Sequence, residues 1–285
     1  NTETLSGDIL SESGKFSKVE QNGEDFPKPH EVNEEQKNTI TLKAESILGA
    51  INKTIFATAD DDLRPVMNGI LFSFSTDYMT AVASDAHKMV RYRRTDVTAE
   101  QEASFILPQK PAQMLKNLLP NDESEVKITF DKQNAIFEFA NFIQICRLVE
   151  GKYPNYEAVI PKENPYRLTV DRLDIHNKLK MVSGYANPAS NLVKLTIAPN
   201  ELKVSAQDLD FSMSAFERMK CEYEGTEMEI GFKALFLLDI IANISSTDVF
   251  VELSEPSRAA LFFPVEKTNE NEDILMLLMP MMVNQ

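Results

Sequence analysis

The chain repeats itself, and that constrains its fold more than any other feature of the sequence. Residues 70–85 read ILFSFSTDYMTAVASD and residues 193–208 read VKLTIAPNELKVSAQD. At an offset of 123 residues Ile70 meets Val193, Phe72 meets Leu195 and Phe74 meets Ile197. Beyond a polar turn, Met79 meets Leu202, Ala81 meets Val204, Ala83 meets Ala206 and Asp85 meets Asp208. Apolar residues alternate on both sides of that turn, so each copy predicts a hairpin with one buried face. The same offset sets Met114-Leu115 on Leu237-Leu238, inside helical patterns at 108–119 and 232–244. It also sets the alternating strand Val126, Ile128, Phe130 on Val249, Val251, Leu253. Upstream, residues 41–56 and 169–185 both read as amphipathic helices, with Ile47 matching Ile175 after a five-residue slip assigned to an insertion at Asp60–Leu63. Two helices and several antiparallel strands per copy make an α+β unit.

The first 35 residues resemble the end of a copy rather than its start. Gly23-Glu24-Asp25-Phe26-Pro27 is similar to Gly151-Lys152-Tyr153-Pro154, and each precedes a proline- and charge-rich linker, 29–37 or 156–165. The chain is therefore expected to begin inside a repeat, lacking roughly 90 residues of a front copy. The expected domains are 1–36, the tail of a first copy, then 37–158 and 159–285.

Catalytic patterns are sparse. Ser84, Asp85 and His87 supply the residue types of a hydrolase triad, but side chains alternate along a strand, and a triad converges from separate segments. No glycine-rich phosphate loop, HExxH or Cys/His cluster with metal spacing occurs. Asp60-Asp61-Asp62 lacks the spaced oxygens and glycine of a calcium loop and reads as a solvated turn. His30, His87 and His176 are widely separated, and Cys146 and Cys221 show no CxxC spacing, which fits two small buried residues in a reducing cytoplasm. The longest apolar runs fall short of the ~20 residues that span a bilayer. These readings predict a non-enzymatic protein without metal or cofactor.

A net charge of −15 argues against a nucleic-acid partner only if charge is evenly spread. It is not. The four expected helices (41–58, 108–119, 171–184, 232–244) carry Lys43, Lys53, Lys110, Lys116, Arg172, Lys178 and Lys180 and are net basic in an acidic chain. Helices gathered on one side would attract phosphate independently of sequence. The chain closes on Ile274 to Val283, where Pro280 must end a strand or sit at an edge. Met279, Met281, Met282 and Val283 then read either as a tail tucked into its own core or as an adaptable partner surface.

Taken together, Arg64-Pro-Val-Met-Asn-Gly-Ile-Leu-Phe72, Ala83-Ser-Asp-Ala-His-Lys-Met89, Gly151-Lys-Tyr-Pro-Asn-Tyr156, Glu227-Met-Glu-Ile-Gly-Phe232 and Leu278-Met-Pro-Met281 resemble the bacterial DNA sliding clamps, the β subunits of replicative DNA polymerase. The resemblance covers essentially the whole chain in order. It implies tandem copies of the clamp fold, with helices lining the inner face of a ring built from head-to-tail dimers. It implies a non-catalytic, cytoplasmic, nucleoid-associated processivity factor that encircles duplex DNA without a cofactor. Short peptides of polymerases, clamp loader, mismatch-repair and ligase proteins would dock in an apolar cleft between the second and third domains. Matched by motif, that cleft comprises Met67, Ser84, Ala86, His87, Met89, Pro154, Val159, Leu277, Met279, Pro280, Met281 and Val283. The DNA-facing cations would be Lys43, Lys53, Arg64, Lys110, Lys116, Lys178 and Lys180. A chain without its front domain is expected to close a ring poorly. Four positions depart from the family pattern: Ala86 stands where a glycine is common, and Glu157-Ala158 and Met282 stand where basic residues are frequent. The alternative is a tandem-repeat scaffold that does not act on DNA.

Overall fold

The computed structural model describes residues 6–19, 22, 25 and 32–283. Gly23, Glu24, Phe26, Pro27 and residues 29–31, including His30, lie outside that range. The chain divides into two compact units, Asn1–Glu31 and Val32–Gln285. The first contains one hairpin, β1 (Ser6–Ser11) and β2 (Gly14–Val19).

The second unit holds both complete repeats. Repeat one runs β3 (Asn38–Lys43), α1 (Ala44–Thr54), β4 (Gly69–Phe74), β5 (Met79–Ser84), β6 (Lys88–Arg94), β7 (Ala103–Pro108), α2 (Gln109–Leu118), β8 (Glu125–Phe130), β9 (Asn134–Phe139) and β10 (Phe142–Arg147). Repeat two runs β11 (Tyr166–Asp171), α3 (Arg172–Ser183), β12 (Leu192–Ala198), β13 (Glu201–Asp208), β14 (Met213–Met219), β15 (Glu222–Glu224), β16 (Met228–Lys233), α4 (Ala234–Asn243), β17 (Asp248–Leu253), β18 (Ala260–Pro264) and β19 (Glu272–Leu278). This is the expected α+β fold, with two helices and antiparallel sheets per copy.

The predicted hairpins form with their rungs in register. Phe72 opposes Ala81 in repeat one, and Leu195 opposes Val204 in repeat two. Two sequence readings need correction. Residues 41–43 and 169–171 are strand, not helix: Asn38–Lys43 alternates Ile40 and Leu42 inward, pairs with β8, and passes into α1 without an intervening turn. The 123-residue offset also fails over the second helix. Leu115 is buried, but Met114 beside it is 55% exposed, and the buried counterparts are Leu237 and Ile240. The cause lies in the loops. Between the matching rungs Ser84–Met89 and Gln207–Ser214 repeat two has two more residues, and the α4–β17 connection is shorter than its counterpart by two, so the offset rises to 125 and returns to 123. The β1–β2 hairpin shows a third agreement, since Ser6 opposes Val19 as Asn134 opposes Arg147, 128 residues on at both strands.

Nine strands form one sheet in the order β15-β11-β17-β18-β19-β6-β5-β4-β7, and two four-stranded sheets, β10-β9-β8-β3 and β14-β13-β12-β16, complete the layers. The nine-stranded sheet crosses from one repeat to the other at β6–β19, a ladder running from Glu272 opposite Arg94 to Leu278 opposite Lys88. Its helix-facing side carries Val90, Tyr92, Met276 and Leu278 in the main core. Its other side carries a separate cluster of Val82, Met89, Ile106 and Tyr153 from repeat one with Ala259, Leu261, Leu275 and Leu277 from repeat two. Burying each large side chain there contributes about 1.5–3 kcal/mol, so the seam is held by apolar packing on both faces.

Candidate functional site

Part of the predicted cleft lies at this seam. Leu277 opposes Met89 directly across the β6–β19 ladder, and Met89 in turn opposes Ser84 across β5–β6. Both Met89 and Leu277 are buried, and Met67 is buried on the 3₁₀ turn Pro65–Met67. Ala86, His87, Pro154 and Val159 are exposed around them, the last on a 3₁₀ turn over Tyr156–Val159. The apolar neighbours Val66, Tyr156 and Ile160 pack against the seam cluster. The result is an apolar floor bounded by a turn from each side, a surface suited to side chains of a short peptide.

The Asp85–His87 turn explains why the Ser/Asp/His triplet forms no triad here. Ser84 Oγ donates to the Lys88 carbonyl at 3.0 Å and accepts from the Ala86 amide at 3.2 Å. Asp85 Oδ1 accepts from the amides of His87 and Lys88 at 2.9 and 2.8 Å, while Oδ2 accepts from Lys88 Nζ at 2.9 Å. The His87 ring stacks on Phe236 of α4, centroids 5.6 Å apart. All three side chains are spent on the turn and on its contact with repeat two. Burial raises the Tyr153 hydroxyl above its ordinary range, and nearby Asp85 adds to that shift.

Sequence reasoning missed Phe236 and Lys88. Phe236 is one apolar residue among many on α4, and Lys88 is one cation in Lys88-Met-Val-Arg-Tyr-Arg-Arg94, so neither stands out from its pattern. Yet Lys88 is buried, 4.4 Å from the Phe236 centroid and 3.6 Å from Asp239 as well as paired with Asp85. It ties the repeat-one turn to a repeat-two helix. A surface ion pair contributes little, but a desolvated lysine held by two carboxylates and a ring resists separation.

The tail is pinned at two points. The Met279 amide donates to the His87 carbonyl at 2.8 Å, and the Met281 amide donates to the Gly231 carbonyl at 2.8 Å. A Cβ on Gly231 would come within 2.8 Å of Val283 Cγ2 and 2.9 Å of the Met281 carbonyl, so only glycine admits the tail here. Met279 remains 40% exposed and Met282 80% exposed. The tail is thus both tucked and presented. Met279 borders the seam, whereas Val283 is drawn away to Gly231 and Leu192 of repeat two. Of the departures from the family pattern, Glu157 pairs with Arg93 at 3.0 Å, and Ala86 adopts a φ of 75°.

The predicted DNA-facing cations do not form one set. Lys53, Lys110, Lys116, Lys178 and Lys180 lie on helices, with Lys110, Lys116 and Lys180 exposed. Lys178 is held between Asp174 and Glu217, each at 3.4 Å, and burial lowers the Lys53 ammonium below its ordinary value. Lys43 ends β3 and pairs with Glu123 at 2.8 Å. Arg64 pairs with Asp61 at 2.8 Å in the loop before Met67, on no helix. Within the observed bounds α2 and α3 are net basic, α1 balances Lys53 against Glu45, and α4 carries only Asp239.

Comparison with known sequences decides the family. The model of the DNA polymerase III beta subunit, central domain, matches residues 41–155, and that of its C-terminal domain matches residues 157–282. The chain belongs to the DNA polymerase III beta-subunit family. Members similar to it include the beta sliding clamp of Pseudomonas putida, 28% identical over 244 residues, and that of Borreliella burgdorferi, 28% identical over 254. These alignments cover 85% and 88% of this chain but 65% and 64% of the relatives, so the chain spans just under two thirds of their length. Among solved structures, a sliding clamp from Bartonella birtlesii bound to griselimycin is 27% identical with a TM-score of 0.87, covering 97% of this chain and 74% of that one. A beta subunit from Pseudomonas aeruginosa shares the fold at a TM-score of 0.91 and 24% identity, over 99% of this chain and 76% of its own. Among the described residues no helix is long and apolar enough to cross a membrane.

Proposed function

We propose that this protein is a processivity clamp that encircles duplex DNA and tethers polymerases and their co-workers through the seam cleft. The observation that carries the reading is the β6–β19 joint, where two copies of one unit share a sheet with an apolar floor above it. A joint of this kind is heterologous: one edge of each unit meets a different edge of the next, and such contacts close into rings when the rotation permits. The matching register of β1–β2 and β9–β10 supports a third copy of the same plan, and supports reading 37–158 and 159–285 as the second and third domains. The exposed lysines of α2 and α3 supply sequence-independent attraction to phosphate, and the acidic remainder of the chain repels it. Short linear peptides would lay apolar side chains over Met89 and Leu277, with Met279 adapting to each. A head-to-tail homodimer would complete the ring.

The test is a titration of the full chain with a labelled C-terminal peptide of a replicative polymerase. Met279→Ala with Met281→Ala should raise its Kd at least tenfold and leave the melting temperature unchanged. Unchanged affinity would overturn the cleft. Lys110→Glu with Lys116→Glu should weaken retention on circular DNA and leave the peptide affinity intact; full retention would favour a scaffold that does not act on DNA.

A further inference from the structure

Charge around the seam cleft is arranged with the cations inside and the acids outside. On the outer face of the ladder, β6 follows Met89 with Arg91 and Arg93, and β19 sets Asp273 opposite Arg93. Arg91 Nη2 donates to Asp273 Oδ2 at 2.7 Å, and Arg93 Nη2 donates to Glu157 Oε1 at 3.0 Å. Glu157 belongs to the Tyr156–Val159 turn that walls the cleft. In both pairs the guanidinium is the recessed partner. The side chains of Arg91 and Arg93 are 15% and 20% exposed, against 44% for Asp273 and 60% for Glu157.

The arginines are fixed in that recess. Arg93 Cζ lies 4.7 Å from the Tyr78 ring centroid, and the Nε atoms of both arginines are enclosed. A charge arriving from solvent therefore meets the carboxylates first, and the nearer charge dominates because Coulomb energy falls with distance. The repeat-two side of the cleft is built the same way, with Lys88 buried against the half-exposed Asp239. Two other cations nearby do not reverse the pattern. Lys152, next to Tyr153, shares a groove with Asp131 and Glu150, and Lys233 is drawn onto the Phe236 ring, 4.7 Å from its centroid.

We propose that the seam cleft selects partner segments that carry a lysine or arginine beside their apolar residues, the basic side chain reaching Glu157 and Asp273. The inference rests on the seam-cleft reading and adds the charge of the partner to it. A basic flank gains two presented carboxylates without drawing either from its arginine. An acidic flank meets the same carboxylates as like charges, so one wall admits the first class and rejects the second. Both effects act between solvent-exposed groups and weaken as salt shortens their reach.

The test uses the full chain and the labelled polymerase peptide, prepared with lysine, aspartate or serine on each side of its apolar segment. In about 50 mM salt the lysine-flanked peptide should bind about fivefold or more tighter than the aspartate-flanked one by fluorescence anisotropy, with serine between them, and the gap should close in about 0.5 M salt. Glu157→Gln with Asp273→Asn should bring the three affinities within about twofold of one another while serine-flanked binding, the check that the wall still stands, keeps its value. Asp273→Asn alone, on β19 and outside the turn, should cut the preference by about half. Equal affinities in the unaltered protein, tighter binding of the aspartate-flanked peptide, or a lysine preference indifferent to salt and to both variants would overturn the proposal and leave the cleft standing. Binding of none of the three peptides would overturn the cleft itself, and the proposal with it.

Discussion

Replacing Ala86 with glycine should stabilise this protein, against the usual effect of glycine. Ala86 holds a φ of 75° at the tip of the turn that carries His87. The left-handed region brings an L-residue's Cβ against its own following carbonyl, at about 1–2 kcal/mol. Asp85 keeps the residue there, because its carboxylate accepts from the two amides that follow. Glycine removes the strain and adds about 0.4–1 kcal/mol of unfolded-state entropy. The net gain is about 0.5–1 kcal/mol, which raises the melting temperature of a chain this size by about 1–4 °C. Differential scanning calorimetry of Ala86→Gly measures it, with two controls. Ala140, at φ 47° in the β9–β10 turn, should respond in the same direction. Ala81, buried within β5, should lose about 0.5–1 kcal/mol on the same substitution. If Ala86→Gly lowers the melting temperature as Ala81→Gly does, the strain argument fails and another contact of the Ala86 methyl decides the position.

Gly231→Ala should displace the tail, because its Cβ would meet Leu192, Val283 and the Met281 carbonyl within 2.9 Å; polymerase-peptide affinity should fall at least fivefold in a fluorescence titration while the melting temperature drops by less than about 4 °C, on the order of 1 kcal/mol. Lys88→Met should cost about 2–3 kcal/mol in denaturant unfolding, below the 3–5 kcal/mol of a fully buried pair because Asp239 is half exposed, and the loss should shrink on an Asp239→Asn background. The Arg94 hydrogen bond holds the Asp96 carboxyl below its ordinary value of 3.8. Its folded pKa is lower than its unfolded one, so its contribution is present above about pH 4 and is lost as pH falls through the folded value. The melting temperature should therefore drop below pH 4, less steeply in Asp96→Asn, and equal slopes would remove Asp96 from the account.

The hairpins were legible because apolar residues alternate on the helix-facing side of both strands in each copy, although in β5 the other face is buried as well at Thr80 and Val82. The strands β3 and β11 were not, since each runs into its helix through Lys43 or Asp171 with no glycine or proline to mark the change. Counting at a constant offset fails where paired loop changes cancel, and this is why Met114 was set on Leu237 although only its neighbour Leu115 is buried. Within the site, Met89 and Leu277 could be matched by motif, but their direct opposition is a property of the joint between repeats. Phe236 and Lys88 required the fold, because the contacts that join them across the repeats, Lys88 to Phe236 and to Asp239 and His87 to Phe236, link residues more than 100 positions apart. Val283 follows the cleft tail in sequence, yet it packs beside Gly231 and Leu192 within its own repeat.

The joint itself carries the last step. By register β6 corresponds to β14, and β10 to β19 as the closing strand of its repeat. The β6–β19 edges are joined, while β10 and β14 each end a sheet. Both open strands carry uncovered apolar side chains, Phe142 and Ile143 on one, Met213 and Phe216 on the other. Long apolar edges invite pairing, and folded proteins tolerate them where pairing is their use. A donor edge and an acceptor edge of the kinds already joined at the seam would let further copies add by the same ladder. Each addition would turn the helices with their exposed lysines to the same side and bring an outer-face groove to each new seam. Under the proposed clamp function, encirclement of DNA and peptide tethering would be two consequences of one strand pairing, and a change that weakens the β6–β19 ladder should damage both together.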